Sequence, residues 1–448
     1  MNADKLTMKD NSLLNSLNKS IDTNTVTNVD ITNTNNFAID LSPRTKIGDK
    51  YVIENLTGNG AINVSRFNFV GLAPIDRNID FKVFDATNST DSIDYAATNQ
   101  KIFTPIGNYK LKAMGDGIYR ASLADYNPQV YRGQVATLAA YNNQLIVNDF
   151  LTNRFVLQSE QLIENTKNAN KTSAVSPILA PYQNTIDDGS VWMRTYASFE
   201  RLSMTHGLNV GNNTYGTIVG VDMPAKLLNK GWKFIPTVFL GYNGGNQYFN
   251  KVDMYQNGVQ GGLMATFMKH QFISSIMAYG GGYFNEMNVA GNTDRTGNWF
   301  AGAAAKIAYN LKATKYFTIQ PNVFVSYNIF GKQHWHTDYG VMSMNSGLLN
   351  GINVAPGVNF IYGRGTWSIY TTVQYMYNIN DHIGGYAGNV NLPSISMRHG
   401  YIQYGFGATK LWKDRLNSYL QITFRNGGRT GVGFQLGLRY MFAMKKHK

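Results

Sequence analysis

The sequence predicts an all-β protein: a twelve-stranded antiparallel transmembrane β-barrel with a lumenal α-helix and a small, β-helix-like N-terminal β domain. Three observations support this prediction. The 448 residues include 44 Gly, 28 Tyr and 24 Phe, and only 15% are charged, a composition that favours β structure. No run of about 18 apolar residues occurs, which excludes helical membrane spans. Strand patterns with a period of two recur without a helix over residues 190–442.

The overall charge and the cysteine count narrow the function further. The formal net charge is +13 and the pI is near 9.5, which suits an anionic membrane or nucleic acid. The basic residues are spread through turns and between aromatics, so we do not expect a nucleic-acid partner. Because cysteine is absent, disulfides, thiolate metal sites and cysteine nucleophiles are excluded.

The clearest strand is the last one, residues 431–442. Large apolar residues at every second position predict an apolar face, and the small or polar residues between them predict a polar face. A strand between lipid and a polar lumen has this pattern, and we expect it to pair with the strand near Val191 to close the barrel. The apolar row is Val432, Phe434, Leu436, Leu438, Tyr440 and Phe442, and the other row is Gly433, Gln435, Gly437, Arg439 and Met441.

The N-terminal part has two sections. Residues 1–44 are rich in Asn, Thr, Asp and Ser, so they are either a disordered lead-in or the last irregular rungs of a truncated domain. Residues 45–126 alternate short β signals with turn residues and predict a small all-β unit, for which stacked rungs are one arrangement. Residues 1–20 lack the pattern of a signal peptide, so we expect a longer precursor or a trimmed form.

Residues 127–189 predict a helix and a loop. Pro128 opens the segment, and residues 134–164 contain no glycine and carry apolar residues at helical spacing. A helix of roughly 25 to 30 residues would be about 40 Å long, comparable to a membrane thickness. Residues 165–189, with Pro177 and Pro181, predict a loop.

Residues 190–442 contain about twelve strand patterns whose connections alternate in length. An outer-membrane barrel requires an even strand number, short periplasmic turns and long outer loops. We expect short turns at 228–231, 269–271, 312–315, 363–365 and 412–416. We expect long loops at 204–213, 243–254, 285–297, 331–350 and 379–397. Tryptophans fit interfacial girdles: Trp192, Trp232, Trp367 and Trp412 at the short-turn rim, and Trp299 and Trp335 at the other.

The chain over about 45–442 resembles the C-terminal part of a type V autotransporter. Residues 131–154, which begin Tyr-Arg-Gly-Gln-Val and end Asn-Arg, are similar to the helix-forming linker of that family. Residues 189–194, Gly-Ser-Val-Trp-Met-Arg, resemble its first barrel strand. Residues 118–123, Ile-Tyr-Arg-Ala-Ser-Leu, are similar to the last strand of the pertactin-like passenger and its autochaperone region.

This resemblance implies a bacterial outer-membrane translocator that exports its own N-terminal passenger to the cell surface and anchors it there. The implied partners are outer-membrane lipids and lipopolysaccharide, the barrel assembly machinery, periplasmic chaperones and the passenger itself, with a monomeric barrel and no cofactor. The passenger would be secreted or displayed as an adhesin or virulence factor. Tyr440 and Phe442 are the implied assembly signal, although the family usually ends on the aromatic and here residues 443–448 follow.

The phase of the strands predicts which polar residues point inward. They either pair with the passenger and the helix or simply line a hydrated lumen, and the sequence leaves both alternatives open. The candidates are Arg194, Glu200, Asp222, Lys306, Gln320, Gln421, Arg425, Gln435 and Arg439.

The pair Asn142–Asn143 resembles the position at which some autotransporters cleave themselves by asparagine cyclisation. That reaction needs the side-chain nitrogen of the asparagine against its own carbonyl carbon, and a lumen acid such as Glu200 or Asp222 to assist proton transfer. The alternative is that Asn-Asn is ordinary in a chain rich in asparagine.

Other functions have less support. His334 and His336 with Asp338 lie in a long loop and are expected to be surface groups rather than a metal site, and we find no Ser-His-Asp pattern or phosphate-binding glycine loop. A receptor-like adhesin or small-solute barrel with a periplasmic N-terminal domain is the main alternative. A barrel hydrolase, with catalytic residues at the long-loop rim, is a third.

Overall fold

The computed structural model describes residues 2–90, 92–156, 189–338, 341–364, 366–398, 400–412 and 415–442. The chain divides into two compact units. The first contains Met1–Tyr131, Trp335–Met344 and Tyr386–Leu392, and the second contains Arg132–His334, Asn345–Gly385 and Pro393–Lys448. The loop expected at 165–189, except for Gly189, and the tail at 443–448 lie outside the described residues.

The described residues between 2 and 126, the N-terminal part of the first unit, form thirteen strands. Eight of them form two parallel sheets, in the orders β1-β3-β6-β9 and β2-β4-β7-β10, which is the arrangement of stacked β-helix rungs. An antiparallel sheet, β11-β12-β13-β8, follows them. The strands are β1 (Asn2–Met8), β2 (Leu13–Asn15), β3 (Thr23–Ile31), β4 (Thr34–Ser42), β5 (Ile47–Gly48), β6 (Lys50–Gly58), β7 (Ala61–Phe69), β8 (Asn78–Lys82), β9 (Phe84–Ser89), β10 (Asp94–Ala97), β11 (Lys101–Phe103), β12 (Gly107–Gly115) and β13 (Ile118–Tyr126).

The asparagine-rich start of the chain is ordered β structure. Of the two expectations for residues 1–44, the structure has the rungs and not the disordered lead-in. The reason is a ladder of side-chain amides: Asn55 Nδ2 donates to Asn28 Oδ1 at 3.0 Å, and Asn88 Nδ2 donates to Asn55 Oδ1 at 3.0 Å. Stacked asparagines on successive parallel strands satisfy one another, so polar composition here does not prevent folding.

A 3₁₀ turn at Pro128–Tyr131 precedes the second unit, which begins with one helix, α1 (Arg132–Val156). No helix among the described residues is long and apolar enough to cross a membrane. The strands that follow are β14 (Gly189–Ser203), β15 (Asn209–Asp222), β16 (Lys226–Leu227), β17 (Lys233–Phe249), β18 (Val252–Lys269), β19 (Phe272–Val289), β20 (Asn292–Tyr309), β21 (Leu311–Lys312), β22 (Phe317–Phe330), β23 (Gln333–Thr337), β24 (Met342–Ser346), β25 (Leu349–Arg364), β26 (Trp367–Ile379), β27 (Ile383–Ala387), β28 (Val390–Ile395), β29 (Tyr401–Trp412), β30 (Leu416–Gly427) and β31 (Arg429–Phe442).

Twelve of these strands form a closed antiparallel barrel around α1. The order is β14-β15-β17-β18-β19-β20-β22-β25-β26-β29-β30-β31. The predicted closure is confirmed: β31 pairs with β14 from Gly189↔Phe442 to Leu202↔Arg429. We call the end that carries Gly189 and Phe442 the tight-turn rim and the opposite end the long-loop rim.

The outer face of the barrel is apolar and the inner face is polar, as the alternation in β31 predicts. Phe434 and Leu436 are exposed, whereas Gln435 and Arg439 are buried inside. Because a closed sheet leaves no unpaired edge, it is the only β structure that lipid tolerates. Its even strand number and apolar exterior are those of a bacterial outer-membrane barrel.

Two of the predicted long loops are wrong. Residues 243–254 and 285–297 belong to long hairpins, β17–β18 and β19–β20, whose turns are only two residues long. Asn250 and Lys251 both have left-handed φ (44° and 65°), which suits a tight hairpin. The hydropathy falls here because residues such as Gln247 and Asn285 point into the lumen, not because the strands end.

The interfacial positions predicted for two tryptophans are also wrong. Trp192 is buried, with its indole Nε1 3.2 Å from Asp222 Oδ1, so it faces the lumen and not the membrane interface. Its neighbours Val191 and Met193 take the outer positions. Trp335 is buried as well, whereas Trp412 is exposed on the outer face.

Candidate functional site: the helix-filled lumen

Helix α1 occupies the lumen and is buried along its whole length. All 25 of its residues are buried, although many are polar, and by its rise per residue it is about 37 Å long. A buried polar group is costly unless it has a hydrogen-bond partner. The inner face of the barrel supplies those partners, so the helix and the lumen wall are matched in chemistry.

The N-terminal end of α1 lies at the long-loop rim. Arg132 Nη2 contacts Asp294 Oδ2 at 2.6 Å, near the start of β20. Gln134 Nε2 donates to the Ile383 carbonyl at 2.9 Å and to the Pro393 carbonyl at 3.1 Å, both in the long loops.

The C-terminal end of α1 lies at the tight-turn rim. Phe155 and Val156 pack against Ile235, Met268 and Ile273, which lie close to the tight turns. The helix therefore runs through the barrel from the long-loop rim to the tight-turn rim.

Asp222 is the centre of a charged cluster near the tight-turn rim. Arg154 of α1 grips its carboxylate with two nitrogens, Nη1 at 2.6 Å and Nη2 at 2.5 Å. Ser190 and Thr237 hydroxyls donate to the same carboxylate at 2.6 and 2.8 Å, and Arg439 Nε lies 3.4 Å away. Asp222 is completely buried. A paired and hydrogen-bonded carboxylate is the form in which a buried charge is tolerated.

A second cluster joins the middle of α1 to the wall. Lys306 Nζ contacts Asp149 Oδ1 at 3.0 Å. The other oxygen, Oδ2, accepts from the amides of Gln374 and Gln403, each at 3.1 Å. Lys306 is 1% exposed and Asp149 5% exposed, so this ion pair is screened little by solvent.

A third cluster lies toward the long-loop rim. Glu200 bridges two arginines: it contacts Arg425, and its Oε2 lies 2.5 Å from Arg429 Nε. Arg429 Nη1 in turn donates to the Asn142 carbonyl of α1 at 2.9 Å. The cluster therefore binds the helix backbone rather than a helix side chain.

Arg194 also contacts the helix, through a backbone carbonyl and an aromatic ring. Its Nη1 donates to the Phe150 carbonyl at 2.8 Å, and its guanidinium carbon lies 4.3 Å from the ring centroid of Tyr419. An aromatic face stabilises a cation over it. The charge is thus compensated by a carbonyl dipole and a π-system.

The structure buries every residue that strand phase assigns to the inner face. Besides the charged residues, Gln320 Nε2 donates to the Val156 carbonyl at 2.8 Å, and Gln435 accepts from the Tyr419 hydroxyl at 3.1 Å. Gln421 also accepts from Tyr419. Several of these residues contact α1 directly, and others hold the residues that do. Their role in holding the helix remains a hypothesis for experiment.

Sequence reasoning did not identify five partners in these clusters. Three lie on α1. Because all sides of this helix are buried, its sequence has no hydrophobic periodicity that would show which part of the wall each residue contacts. Arg429 had a signal: strand β31 begins two residues earlier than predicted, and its odd-numbered residues face inward. The residues missed are Arg132, Asp149, Arg154, Asp294 and Arg429.

The asparagine pair lies in the first half of α1 with both side chains engaged. Asn142 Nδ2 donates to the Leu138 carbonyl at 2.8 Å, and Asn143 Oδ1 accepts from Asn212 at 3.1 Å. The nitrogen of Asn142 is therefore directed along the helix, away from its own carbonyl carbon. Glu200, one of the two acids considered for proton transfer, reaches Asn142 only through Arg429.

The aromatic end of β31 lies at the tight-turn rim. Tyr440 pairs with Val191 on one side and Leu416 on the other, and its ring is exposed on the outer face. Phe442 pairs with Gly189. Assembly signalling by these two residues remains a prediction.

The histidines considered for a metal site lie on a short strand, β23. His334 and His336 are on the exposed face of β23, and the intervening Trp335 is on its buried face. Among the described residues, no group of three or more His, Cys, Asp or Glu side chains converges as a metal-binding set.

The fold and the lumen define an outer-membrane β-barrel that encloses a helix. This architecture is similar to the translocator domains of autotransporters. No protein-family model matches the sequence, and no curated protein matches it.

Three solved structures illustrate the likeness of fold. The translocator domain of autotransporter NalP from Neisseria meningitidis has a TM-score of 0.48 and 10% identity, over 65% of this chain and 98% of its own. The transport unit of autotransporter AIDA-I from Escherichia coli has a TM-score of 0.48 and 12% identity, over 64% and 99%. The Ralstonia pickettii toluene transporter TbuX has a TM-score of 0.36 and 7% identity, over 59% and 94%.

Proposed function

We propose that this protein is an outer-membrane translocator that exports its own N-terminal β unit and anchors it at the cell surface, as in type V secretion. The observation that carries the proposal is the direction of α1. Its first residue, Arg132, lies at the long-loop rim beside Asp294, and long loops face the cell exterior in outer-membrane barrels. The helix therefore begins at the outer end of the lumen.

The lumen contacts support a helix that stays after export. The three charged clusters and Arg194 hold α1 at several levels, and the inner wall buries every residue of the helix. A helix held in this way anchors the exported unit and closes the lumen to solutes. The same occupancy weighs against an open solute pore as the protein's function.

Assembly of the barrel is proposed to depend on its last strand. β31 closes the sheet and ends on Tyr440 and Phe442, so an assembly machine that delivers this strand would complete the barrel. We propose the barrel assembly machinery and periplasmic chaperones as partners, with the barrel acting as a monomer and performing transport rather than turnover of a substrate.

Protease treatment of intact cells tests the export proposal against a periplasmic N-terminal unit. If the unit is exported, external protease degrades residues 45–125 while the barrel stays intact. If the unit stays in the periplasm, as in the receptor-like alternative, those residues are degraded only after the outer membrane is permeabilised.

Self-cleavage between Asn142 and Asn143 is a second, alternative proposal, in which the exported unit is released from its covalent anchor. One contact favours it: Arg429 Nη1 donates to the Asn142 carbonyl at 2.9 Å, and this donor would stabilise negative charge that develops on the oxygen during attack. The helical bond from Asn142 Nδ2 to Leu138 must break first.

Gel analysis of Asn142→Ala tests the cleavage. The passenger and barrel bands should be separate in the unsubstituted protein and fused in this variant, whereas Asn148→Ala, elsewhere on α1, should leave them separate. An identical band pattern for the unsubstituted chain and Asn142→Ala refutes the cleavage.

A further inference from the structure

The described part of the tight-turn rim is strongly basic. The turns that join β15 to β17, β18 to β19, β20 to β22, β25 to β26 and β29 to β30 contain no acidic residue within the described part of the chain. The rim's described basic residues are Lys226, Lys230, Lys233, Lys269, Lys312, Lys315, Arg364, Lys410 and Arg415.

The long-loop rim has a different charge balance. Its hairpin β19–β20 carries Glu286 paired with Arg295 at 3.1 Å, and the hairpin β17–β18 carries Lys251 beside Asp253. Both of these hairpins carry charges of each sign, whereas the described turns at the other end carry only positive charges. Such an asymmetry favours an anionic partner at the tight-turn rim.

Several of the rim lysines lie at the depth of lipid headgroups. Lys269 Nζ is 5.7 Å from the ring centroid of Trp232, and Lys410 Nζ is 5.6 Å from that of Trp412. Lys315 lies 5.4 Å from the ring of Tyr316. Tryptophan and tyrosine on a barrel exterior mark the membrane–water interface, so these ammonium groups lie where lipid phosphates lie.

One of these lysines lies in a pocket. The pocket has a volume of about 560 Å³ and is lined by Trp232, Lys269, His270, Gln271, Phe272 and Tyr309. The Tyr309 hydroxyl donates to Gln271 Oε1 at 2.9 Å, which orients the amide with its Nε2 donor free of that bond. A cation, an amide donor and an imidazole at the mouth of an aromatic pocket suit a phosphate.

The surface next to the pocket suits an acyl chain. Phe272 of β19 pairs with Tyr309 of β20 at the tight-turn end of these two strands. Farther along the same strands, Ile276 and Ile307 are each 50% exposed on the outer face. An apolar path therefore leads from the phosphate-binding groups toward the bilayer centre.

We propose that the tight-turn rim binds an anionic phospholipid, with the phosphate at Lys269 and Gln271 and an acyl chain along Ile276 and Ile307. Because short turns face the periplasm, the lipid belongs to the inner leaflet. The proposal rests on the barrel lying in the outer membrane and not on export of the N-terminal unit, so either proposal can fail while the other stands.

Native mass spectrometry of the purified full chain tests the site. The chain is offered phosphatidylglycerol and phosphatidylcholine with the same acyl chains, and the lipids retained are counted. We expect phosphatidylglycerol to be preferred. Lys269→Gln should lower that preference about fivefold, the factor that corresponds to about 1 kcal/mol for one cation near an anionic surface, and Lys269→Arg should keep it.

The controls separate this site from general basicity and misfolding. Lys251→Gln removes a cation at the long-loop rim and should leave lipid preference unchanged. Heat-dependent migration on a denaturing gel shows that each variant is a folded barrel. Equal retention of both lipids by the unsubstituted chain, or equal loss of preference in Lys269→Gln and Lys251→Gln, refutes the proposal.

The source of the phosphate is tested by competition. Inorganic phosphate at the lipid concentration should not displace phosphatidylglycerol, because it lacks the acyl chain. Displacement by inorganic phosphate identifies a simple anion site, and a stronger preference for lipopolysaccharide than for phosphatidylglycerol places the site in the outer leaflet. Either result overturns the proposal.

Discussion

The ion pair between Lys306 and Asp149 offers the cleanest test of how α1 is held. Lys306 lies on β20 and Asp149 on α1, with Nζ and Oδ1 3.0 Å apart and both side chains buried. Lys306→Met keeps the length of the side chain and removes its charge. Asp149→Asn keeps an oxygen to accept the Gln374 and Gln403 amides.

The size of the effect follows from burial. Removing one partner of a buried pair leaves an uncompensated charge, which costs about 3–5 kcal/mol. At 1.4 kcal/mol per factor of ten, the ratio of helix-filled to helix-free barrels should fall by roughly 10² to 10³ or more in either single variant. Removing both charges should restore most of that loss, because a neutral buried pair carries no such penalty.

Single-channel conductance in planar bilayers measures this ratio. A twelve-stranded barrel without its helix has a hydrated lumen, so each release of α1 opens a conducting path. The unsubstituted chain should be closed nearly all the time, each single variant should open far more often, and the double variant should return close to the unsubstituted level. Lys230→Met, at an exposed lysine of the tight-turn rim, is the matched control and should not open the channel.

Two results refute this reasoning. If Lys306→Met conducts no more than Lys230→Met, the ion pair does not hold the helix. If the double variant opens as often as the worse single variant, the effect comes from lost packing rather than from an unpaired charge. Heat-dependent gel migration of each variant confirms that the barrel itself is folded in all of them.

Two further predictions concern the ends of the fold. Phe442→Ala should lower the yield of folded barrel in membranes, whereas deletion of residues 443–448 should leave it unchanged or higher; an equal loss in both contradicts an assembly signal at Phe442. Gly117→Ala should destabilise the N-terminal unit to proteolysis, because a Cβ there would lie 2.0 Å from the Phe84 carbonyl oxygen in addition to the cost of about 1–2 kcal/mol for a left-handed φ. Gly71→Ala also has a positive φ but meets no atom within 4 Å, so its effect should be clearly smaller, and equal protease sensitivity of the two variants contradicts the clash.

The barrel could be predicted from the sequence because each strand separates lipid from lumen residue by residue. In β31, the neighbouring residues Leu436 and Gln435 face the barrel exterior and the lumen, respectively. This alternation can be recognised from one sequence alone. The ends of the hairpins β17–β18 and β19–β20 were predicted incorrectly, because polar residues that face the lumen lower the average hydropathy of these strands. Gln247 and Asn285 were assigned to loops because their side chains are polar, but both are buried on the lumenal face of a strand, a distinction that average hydropathy does not make.

The N-terminal rungs could be predicted only in part. Residues such as Val26 and Ile31 are buried between parallel strands, but the neighbouring asparagines make the segment resemble a disordered one. Pairing of Asn28 with Asn55 spans 27 residues, and no local pattern indicates which asparagines will stack.

Several of the charged residues on the barrel wall could be predicted from the sequence, but their partners on helix α1 could not. Strand phase alone directs Asp222 and Lys306 inward, but the choice of Arg154 and Asp149 as their partners depends on how far α1 inserts and how it is rotated. The depth and rotation of α1 depend on contacts with the whole barrel wall, since every face of the helix is buried against it. For these two ion pairs, the sequence therefore predicted the residue on the wall and not its partner on the helix.

Site-specific labelling on intact cells tests the central claim most directly. The chain contains no cysteine, so a membrane-impermeant thiol reagent reacts only where one is introduced. We use Met114→Cys in the N-terminal unit, Lys251→Cys at the long-loop rim and Lys230→Cys at the tight-turn rim. The account predicts labelling of the first two on intact cells and of the third only after permeabilisation. Labelling of the Met114→Cys variant only after permeabilisation, together with Lys230→Cys, would contradict it.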